Sequence, residues 1–144
     1  MNPRVICGFP GIGKTWAAAR LDAWDSDSSA WPRDHSWPDA YVRHVRTRGP
    51  LVFCSTHAEV RAALCDAGVP FGVAYPERAL LNEYLSRYKN RGSGPAFLRL
   101  LAMNWTNWLD QLEAEAPVTE RIVLGPGEFL LDALTGSDET KGDG

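Results

Sequence analysis

A glycine-rich segment near the N-terminus has the residue types and spacing of a phosphate-binding loop. Gly8–Thr15 reads GFPGIGKT, fits the pattern G-x-x-x-x-G-K-S/T, and stands between an apolar run and a helical one. Its glycines let backbone N–H groups curve around phosphates, while the helix start presents unpaired donors. Lys14 would bridge the β- and γ-phosphates of ATP, and the Thr15 hydroxyl would complete a Mg²⁺ shell. A glycine turn that only caps a helix is the alternative. The residues predicted to bind ATP are Gly8, Gly11, Ile12, Gly13, Lys14, Thr15 and Trp16.

Two carboxylates follow the first predicted helix. Asp25 and Asp27 stand two residues apart in an Asp/Ser-rich stretch, so both side chains point to one side if that stretch is extended. Near the phosphate loop, one carboxylate can orient an acceptor hydroxyl and accept its proton, and its neighbour can hold Mg²⁺ through water. We predict Asp27 at the acceptor and Asp25 in either role. A solvated turn with helix-capping carboxylates is the alternative.

The third apolar run ends without the acidic residue that usually follows it in phosphate-loop proteins. Ser55, Thr56 and His57 stand there instead. Ser55 is the candidate for a weaker, water-mediated partner of Mg²⁺, and His57 is expected near the mouth of the site. Alternatively, Ser55 or Thr56 caps the next helix and His57 is an exposed residue of its first turn. The predicted metal-site residues are Thr15, Asp25 and Ser55.

Cations are concentrated between residues 78 and 99, in a chain whose formal net charge is -3. Arg87 and Arg91 are one helical turn apart, and like charges at that spacing repel unless an anion lies between them. A transferring phosphoryl group would be that anion, so both arginines are predicted to act from a lid over ATP that is hinged at Gly92–Gly94. A solvated face with an ordinary Glu83–Arg87 pair is the alternative. The predicted catalytic residues are Lys14, Asp25, Asp27, Arg87 and Arg91.

A second group of aromatic and cationic residues lies between residues 41 and 48. Tyr41, Arg43 and Arg46 could hold an acceptor by stacking on its base and pairing with its phosphate. A surface helix with Tyr41 and Val45 buried explains the same residues almost as well. The predicted acceptor-binding residues are Asp27, Tyr41, Arg43, Arg46 and His57.

The elements that must position these residues alternate between strands and helices. The acidic stretch supplies one strand candidate, and helical patterns lie between the strands. Five strands with intervening helices imply an α/β fold in which a parallel sheet is covered on both faces. The other four strand candidates are Arg4–Cys7, Leu51–Cys54, Phe71–Tyr75 and Arg121–Leu124.

The longest helical pattern runs from Phe97 to Leu112. Its two tryptophans, Trp105 and Trp108, could stack on a nucleobase. We predict that they belong to the core, because aromatic residues on a helical stripe are usually buried.

Composition favours one globular domain in a reducing compartment. The chain has 144 residues, of which 44% are hydrophobic and 23% charged, so one core is expected. The small negative charge disfavours a protein that grips duplex DNA through its backbone. Cys7, Cys54 and Cys65 show no paired spacing and are predicted to be buried thiols of a cytoplasmic protein. No apolar run is long enough for a secretory signal or a membrane span, and residues 135–144 are predicted to be a disordered tail.

Taken in order, several segments resemble the small phosphate-loop kinases found in bacteriophages, in the nucleoside and nucleotide kinase-like branch. The segments are Gly8–Thr15, Asp25–Ser29, Ser55–His57, Tyr75–Pro76 and Glu83–Gly92. The resemblance implies a three-layer fold with a parallel sheet of order 2-3-1-4-5, a kinase-like domain over residues 1–134 and a helical lid at about 77–94. It also implies MgATP as the donor, no membrane partner and, for a phage protein, location in the host cytoplasm.

The sequence therefore predicts an ATP-dependent phosphotransferase. Its acceptor would be a nucleoside, a nucleotide or the hydroxymethyl group of a modified pyrimidine in DNA. Protein kinases and GTPases are disfavoured, because the sequence has neither DFG and HRD motifs nor an N-K-x-D motif. The alternative is an ATP-binding or ATP-hydrolysing partner protein without a phosphate acceptor, which would not need a carboxylate at the acceptor.

Overall fold

A five-stranded parallel sheet forms the centre of the protein, whose computed structural model describes residues 3–26, 31 and 33–135. The strands lie side by side in the order β2-β3-β1-β4-β5, and every neighbouring pair is parallel. This confirms the predicted fold class and strand order. The strands are β1 (Arg4–Gly8), β2 (Trp24–Ser26), β3 (Leu51–Ser55), β4 (Gly72–Pro76) and β5 (Arg121–Leu124).

Helices connect the strands and cover the two faces of the sheet. They are α1 (Lys14–Leu21), α2 (Asp39–Thr47), α3 (Ala58–Asp66), α4 (Leu81–Asn90), α5 (Pro95–Ala114) and α6 (residues 130–135). A 3₁₀ turn at Arg78–Leu80 leads into α4. Thr135, predicted to open the polar tail, is instead helical, and its hydroxyl donates a hydrogen bond to the Leu131 carbonyl at 2.8 Å. None of the described helices is long and apolar enough to cross a membrane.

The two central strands supply most of the apolar surface under these helices. Val5, Ile6 and Cys7 of β1 are at most 1% exposed, and all five residues of β4 are buried. A strand that is covered on both faces has no solvent side, so its sequence is apolar throughout instead of alternating. The edge strand β2 is only three residues long and pairs with β3 alone.

An aromatic cluster connects α4 and α5 to Phe9, the residue that follows β1. Trp105 is core, as predicted: it is 3% exposed, and its ring lies 5.4 Å from Phe9 and 5.5 Å from Tyr84 between centroids. Its indole N–H donates to the Arg78 carbonyl at 2.9 Å. Trp108, on the next turn, is only half-buried, with its ring centroid 6.2 Å from that of Phe9.

The prediction of three buried thiols is right for two of them. Cys7 and Cys54 are buried register partners on β1 and β3. The hydrogen bond to Cys54 and complete burial raise the pKa of the Cys7 thiol. Cys65 is exposed, which corrects the prediction. The buried face of α3 carries Val60 and Leu64, and the residue after Leu64 turns toward solvent.

Candidate functional site

The phosphate loop adopts a backbone that only glycine accepts without strain. Gly11 has a φ of 89° and Gly13 a φ of 85°, both in the left-handed region. A Cβ on Gly8 would lie 2.7 Å from Ile12 Cδ1, so the loop also needs a glycine where β1 ends. Helix α1 begins at Lys14 with Gly13 as its N-cap. Because the first backbone amides of a helix have no partner within it, this turn is suited to bind an anion.

The Lys14 ammonium lies at the centre of this loop. Its Nζ donates to the Gly8 carbonyl at 2.8 Å and lies 3.5 Å from the Phe9 carbonyl, and it is partly buried. Trp16, also predicted to contact ATP, is 45% exposed two residues further along, and the Arg20 guanidinium stands over its ring at 4.4 Å. The loop therefore combines a fixed cation with an accessible aromatic ring.

A carboxylate from the edge strand reaches the second residue of α1. The Thr15 hydroxyl donates to Asp25 Oδ2 at 2.6 Å. Asp25 and Ser55, both predicted at the metal, line the same cavity, Asp25 from β2 and Ser55 from the end of β3. Hard oxygen donors from Thr15 and Asp25, set beside a phosphate loop, are of the kind that Mg²⁺ prefers. Asp27 lies outside the described residues.

These groups surround one cavity of about 440 Å³ above the carboxyl ends of β1, β2 and β3. Among the described residues, Lys14 and Arg91 are the cations that line it, and they suit the phosphates of a polyphosphate ligand. Burial raises the pKa of Tyr88, whose side chain lies on the cavity wall. The predicted site residues that line the cavity are Gly8, Gly11, Gly13, Lys14, Thr15, Trp16, Asp25, Ser55, His57 and Arg91. Ile12, also predicted to bind ATP, is instead fully buried.

The two predicted lid arginines have different environments. Arg87 is 11% exposed and donates to the carbonyls of Gly11 and Glu128 at 2.8 and 3.0 Å and to Glu83 Oε2 at 2.8 Å. The Glu83–Arg87 pair of the alternative interpretation is therefore present, but it is largely buried and fastened to the phosphate loop. Arg91 is exposed and lines the cavity, with its guanidinium 5.0 Å from the Tyr88 ring centroid.

Three predicted acceptor-binding residues are not brought to this cavity. Tyr41 is fully buried, and its hydroxyl donates to the Ser26 carbonyl at 3.2 Å, so its ring offers no surface to a ligand. Arg43 and Arg46 line a separate cavity between α2 and α3, where Arg46 donates to the Ala67 carbonyl. The alternative, a surface helix with Tyr41 and Val45 buried, describes α2 correctly. The acceptor-binding interpretation placed Tyr41 at a ligand, since the alternation of aromatic and cationic residues does not reveal which face of the helix is buried.

Other residues of the site were missed from the sequence. Ser26 is 3% exposed and lines the cavity beside Asp25, and among the described residues its hydroxyl has no hydrogen-bond partner. Its place in the Asp/Ser stretch was a signal that pointed to it. Pro10 and Thr56 line the cavity as well, next to residues that the sequence did single out. Phe129 stacks under Arg87 at 3.8 Å, and nothing in its local sequence reveals that contact.

The sequence matches no protein-family model and no curated protein. The fold is similar to that in the crystal structure of an uncharacterized protein from Eubacterium ventriosum, with a TM-score of 0.50, 10% sequence identity and coverage of 99% of each chain. At this identity the similarity shows the fold alone, so the function must come from the chemistry of the site.

Proposed function

We propose that this protein is a phosphate-loop kinase that transfers the γ-phosphate of MgATP to a nucleoside, a nucleotide or a hydroxymethylated pyrimidine in DNA. The observation that carries the proposal is the hydrogen bond between Thr15 and Asp25, at 2.6 Å, on the wall of the cavity that also holds Lys14. A glycine turn that only capped a helix would need neither the lysine nor the carboxylate. The proposal also includes a cytoplasmic location, which suits an ATP-dependent reaction and two buried free thiols.

Each group has a role that follows from its position. The amides at the start of α1 and the Lys14 ammonium would hold the phosphates, and Thr15 and Asp25 would hold Mg²⁺, Asp25 directly or through water. When bound, Mg²⁺ neutralises charge on the phosphate oxygens. Arg91 faces the same cavity and would contact the transferring phosphoryl group. Asp27 as the base that takes the proton of an acceptor hydroxyl stays a prediction from the sequence.

The test combines ATP binding with transfer of labelled phosphate. Lys14→Ala should weaken MgATP binding strongly in calorimetry, because it removes the side-chain cation of the phosphate loop. Asp25→Asn should leave nucleotide binding without metal unchanged and weaken Mg²⁺ binding by about 10–100-fold, as expected when a group that orients a metal ligand is lost. Asp22→Asn is the matched control, since it makes the same exchange at an exposed residue with a φ of 55°, which asparagine accepts.

Incubation with γ-labelled ATP and a panel of nucleosides, nucleotides and hydroxymethylated DNA separates the two candidate functions. Label on one of the acceptors supports the kinase. Release of labelled inorganic phosphate with every acceptor unlabelled would favour the ATP-hydrolysing partner protein instead. Unchanged ATP affinity in Lys14→Ala would refute both, because both depend on the phosphate loop.

A further inference from the structure

A second, smaller cavity opens beside the first. We call it the α3–α5 groove: it has a volume of about 220 Å³ and lies between the N-terminal end of α3 and the last turns of α5. Pro10, Thr56 and His57 line both cavities, so a ligand in the groove would be continuous with one in the phosphate-loop cavity. The volume is below the roughly 300–1,000 Å³ of clefts that enclose whole small-molecule ligands. The groove is therefore suited to one part of a larger molecule.

The walls of the groove are mostly apolar. Pro10, Ala58, Leu112 and Trp108 contribute to them. Trp108 is half-buried, and its contact with Phe9 below it restrains the ring. Apolar walls with an indole suit a planar ring, because aromatic surfaces bind bases by stacking.

A buried arginine fixes the polar end of the groove. Arg61 is 8% exposed, and its Nε donates to the Thr56 carbonyl at 3.0 Å while its Nη1 pairs with Glu115. Its Nη2 donates to Gln111 Oε1 at 3.0 Å. A guanidinium only donates hydrogen bonds, so the oxygen of the Gln111 amide must face it. The Gln111 NH₂ group is consequently the donor that remains for a ligand.

Charge at this end of the groove argues against a second phosphate site. The positive charge of Arg61 is balanced by Glu115, whose side chain is only 17% exposed. The three hydrogen bonds of Arg61 also hold its guanidinium against protein acceptors. The α3–α5 groove therefore has apolar walls and, at its polar end, a neutral hydrogen-bond donor, the Gln111 NH₂ group. This matches an uncharged ring that carries a carbonyl.

We propose that the α3–α5 groove binds the base of the phosphate acceptor, and that the Gln111 NH₂ group donates to an acceptor of that base, such as a ring carbonyl of thymine or uracil. The proposal rests on the proposed function, because it takes the hydroxyl or phosphate end of the same molecule to lie in the phosphate-loop cavity. His57 and Thr56, which line both cavities, would then lie beside the sugar. Neither Gln111 nor Trp108 belongs to the phosphate loop or to the metal site.

The decisive variant is Gln111→Glu. It keeps an oxygen for Arg61 and replaces the NH₂ donor by an acceptor, so a carbonyl would meet an oxygen instead of a donor. Thymidine affinity measured by calorimetry should fall by about 10–100-fold, the cost of a lost hydrogen bond plus an unfavourable polar contact. Glu113→Gln is the matched control, a glutamate and glutamine exchange on an exposed part of the same helix outside the groove. It should leave thymidine affinity unchanged.

Two further titrations test the stacking and the selectivity. Trp108→Leu should weaken both thymidine and adenosine, because it removes a wall that any base would contact. In the wild type, a 2-deoxyribose that carries a phenyl ring in place of the base, and therefore no ring acceptor, should bind more weakly than thymidine, and Gln111→Glu should not weaken it further. Free 2-deoxyribose should not bind detectably.

The outcomes separate this inference from the proposed function. Equal thymidine affinity in Gln111→Glu and the wild type, binding of 2-deoxyribose as tight as that of thymidine, or no binding of thymidine by the wild type would each overturn the role of the groove. The ATP titrations of Lys14→Ala are independent of that result. A kinase whose acceptor base binds elsewhere would keep the Lys14 effect and lose the Gln111 effect.

Discussion

Arg87→Ala should destabilise the whole fold, whereas Arg91→Ala should affect only catalysis. The Arg87 guanidinium makes three hydrogen bonds, to Gly11, Glu128 and Glu83, and only 11% of its side chain is exposed. Removing one partner of a buried ion pair costs about 3–5 kcal/mol, because the other charge is left unpaired. Glu83 is 30% exposed and also accepts from the Gly127 amide, so water and that amide offset part of the loss. We therefore expect about 3 kcal/mol, the lower end of that range.

Thermal unfolding followed by circular dichroism measures this difference. A loss of about 3 kcal/mol corresponds to a fall in Tm on the order of 10 °C for a chain of this size. ATP affinity should fall as well, because Gly11 loses the donor that holds its carbonyl. Arg91→Ala is the control at the C-cap of the same helix: its side chain is exposed, so Tm should stay within about 2 °C while phosphate transfer slows. A Tm for Arg87→Ala within about 2 °C of the wild type, which is the effect of an ordinary surface substitution, would refute the interpretation that Arg87 braces the loop.

Ser26→Ala should raise the free energy of unfolding by about 1 kcal/mol in denaturant titrations, because it removes a buried hydroxyl without a partner among the described residues. Tyr84→Phe should do the same for the same reason, and a loss of stability in both would contradict it. Iodoacetamide should modify Cys65 alone in the folded protein, as mass spectrometry of digests can check; equal labelling of all three thiols would show that the sheet is open. The hydrogen bond from Arg4 holds the pKa of Glu120 below its usual value, so the pair stabilises the fold above the unfolded pKa of about 4.3 and this stabilisation is lost as pH falls through the lower folded pKa. Glu120→Gln should therefore cost about 0.2–1 kcal/mol at pH 7 and almost nothing near pH 2 in urea titrations, and an equal cost at both would refute the pairing.

Local patterns were sufficient to find the elements and the phosphate loop. The predicted strand Arg121–Leu124 has the observed bounds. For β1, β3 and β4, each predicted end differs from the observed end by one residue at most. The long helix begins at Pro95, two residues before the predicted stripe, because proline at the first helical position belongs to the helix without belonging to its apolar face. Strand order came from the resemblance and not from any pattern within a strand.

Contacts between distant residues could not be predicted in the same way. Arg87 donates a hydrogen bond to Gly11, which is 76 positions away in the chain, and Arg61 donates one to Gln111, which is 50 positions away. Each of these residues has an ordinary surface sequence around it, so only the packed helices bring the partners together. Asp25, in the Asp/Ser stretch, was predicted at the metal from the sequence, but its hydrogen bond with Thr15 depends on how the edge strand lies against α1.

The position of Asp25 on β2 has a consequence for how binding and local stability are related. Within the described part of the chain, β2 is an edge strand of three residues that pairs with β3 alone, and short edge strands are among the parts of a sheet that open most readily. A ligand that needs the Asp25 carboxylate for binding would bind only while this strand is paired with β3. Under the proposed function, bound MgATP would therefore slow hydrogen exchange of the β2 amides by a factor that rises with its concentration over its Kd. A substitution that opens the edge strand would weaken Mg²⁺ binding at the proposed site by the factor by which the fraction of molecules with a paired strand falls.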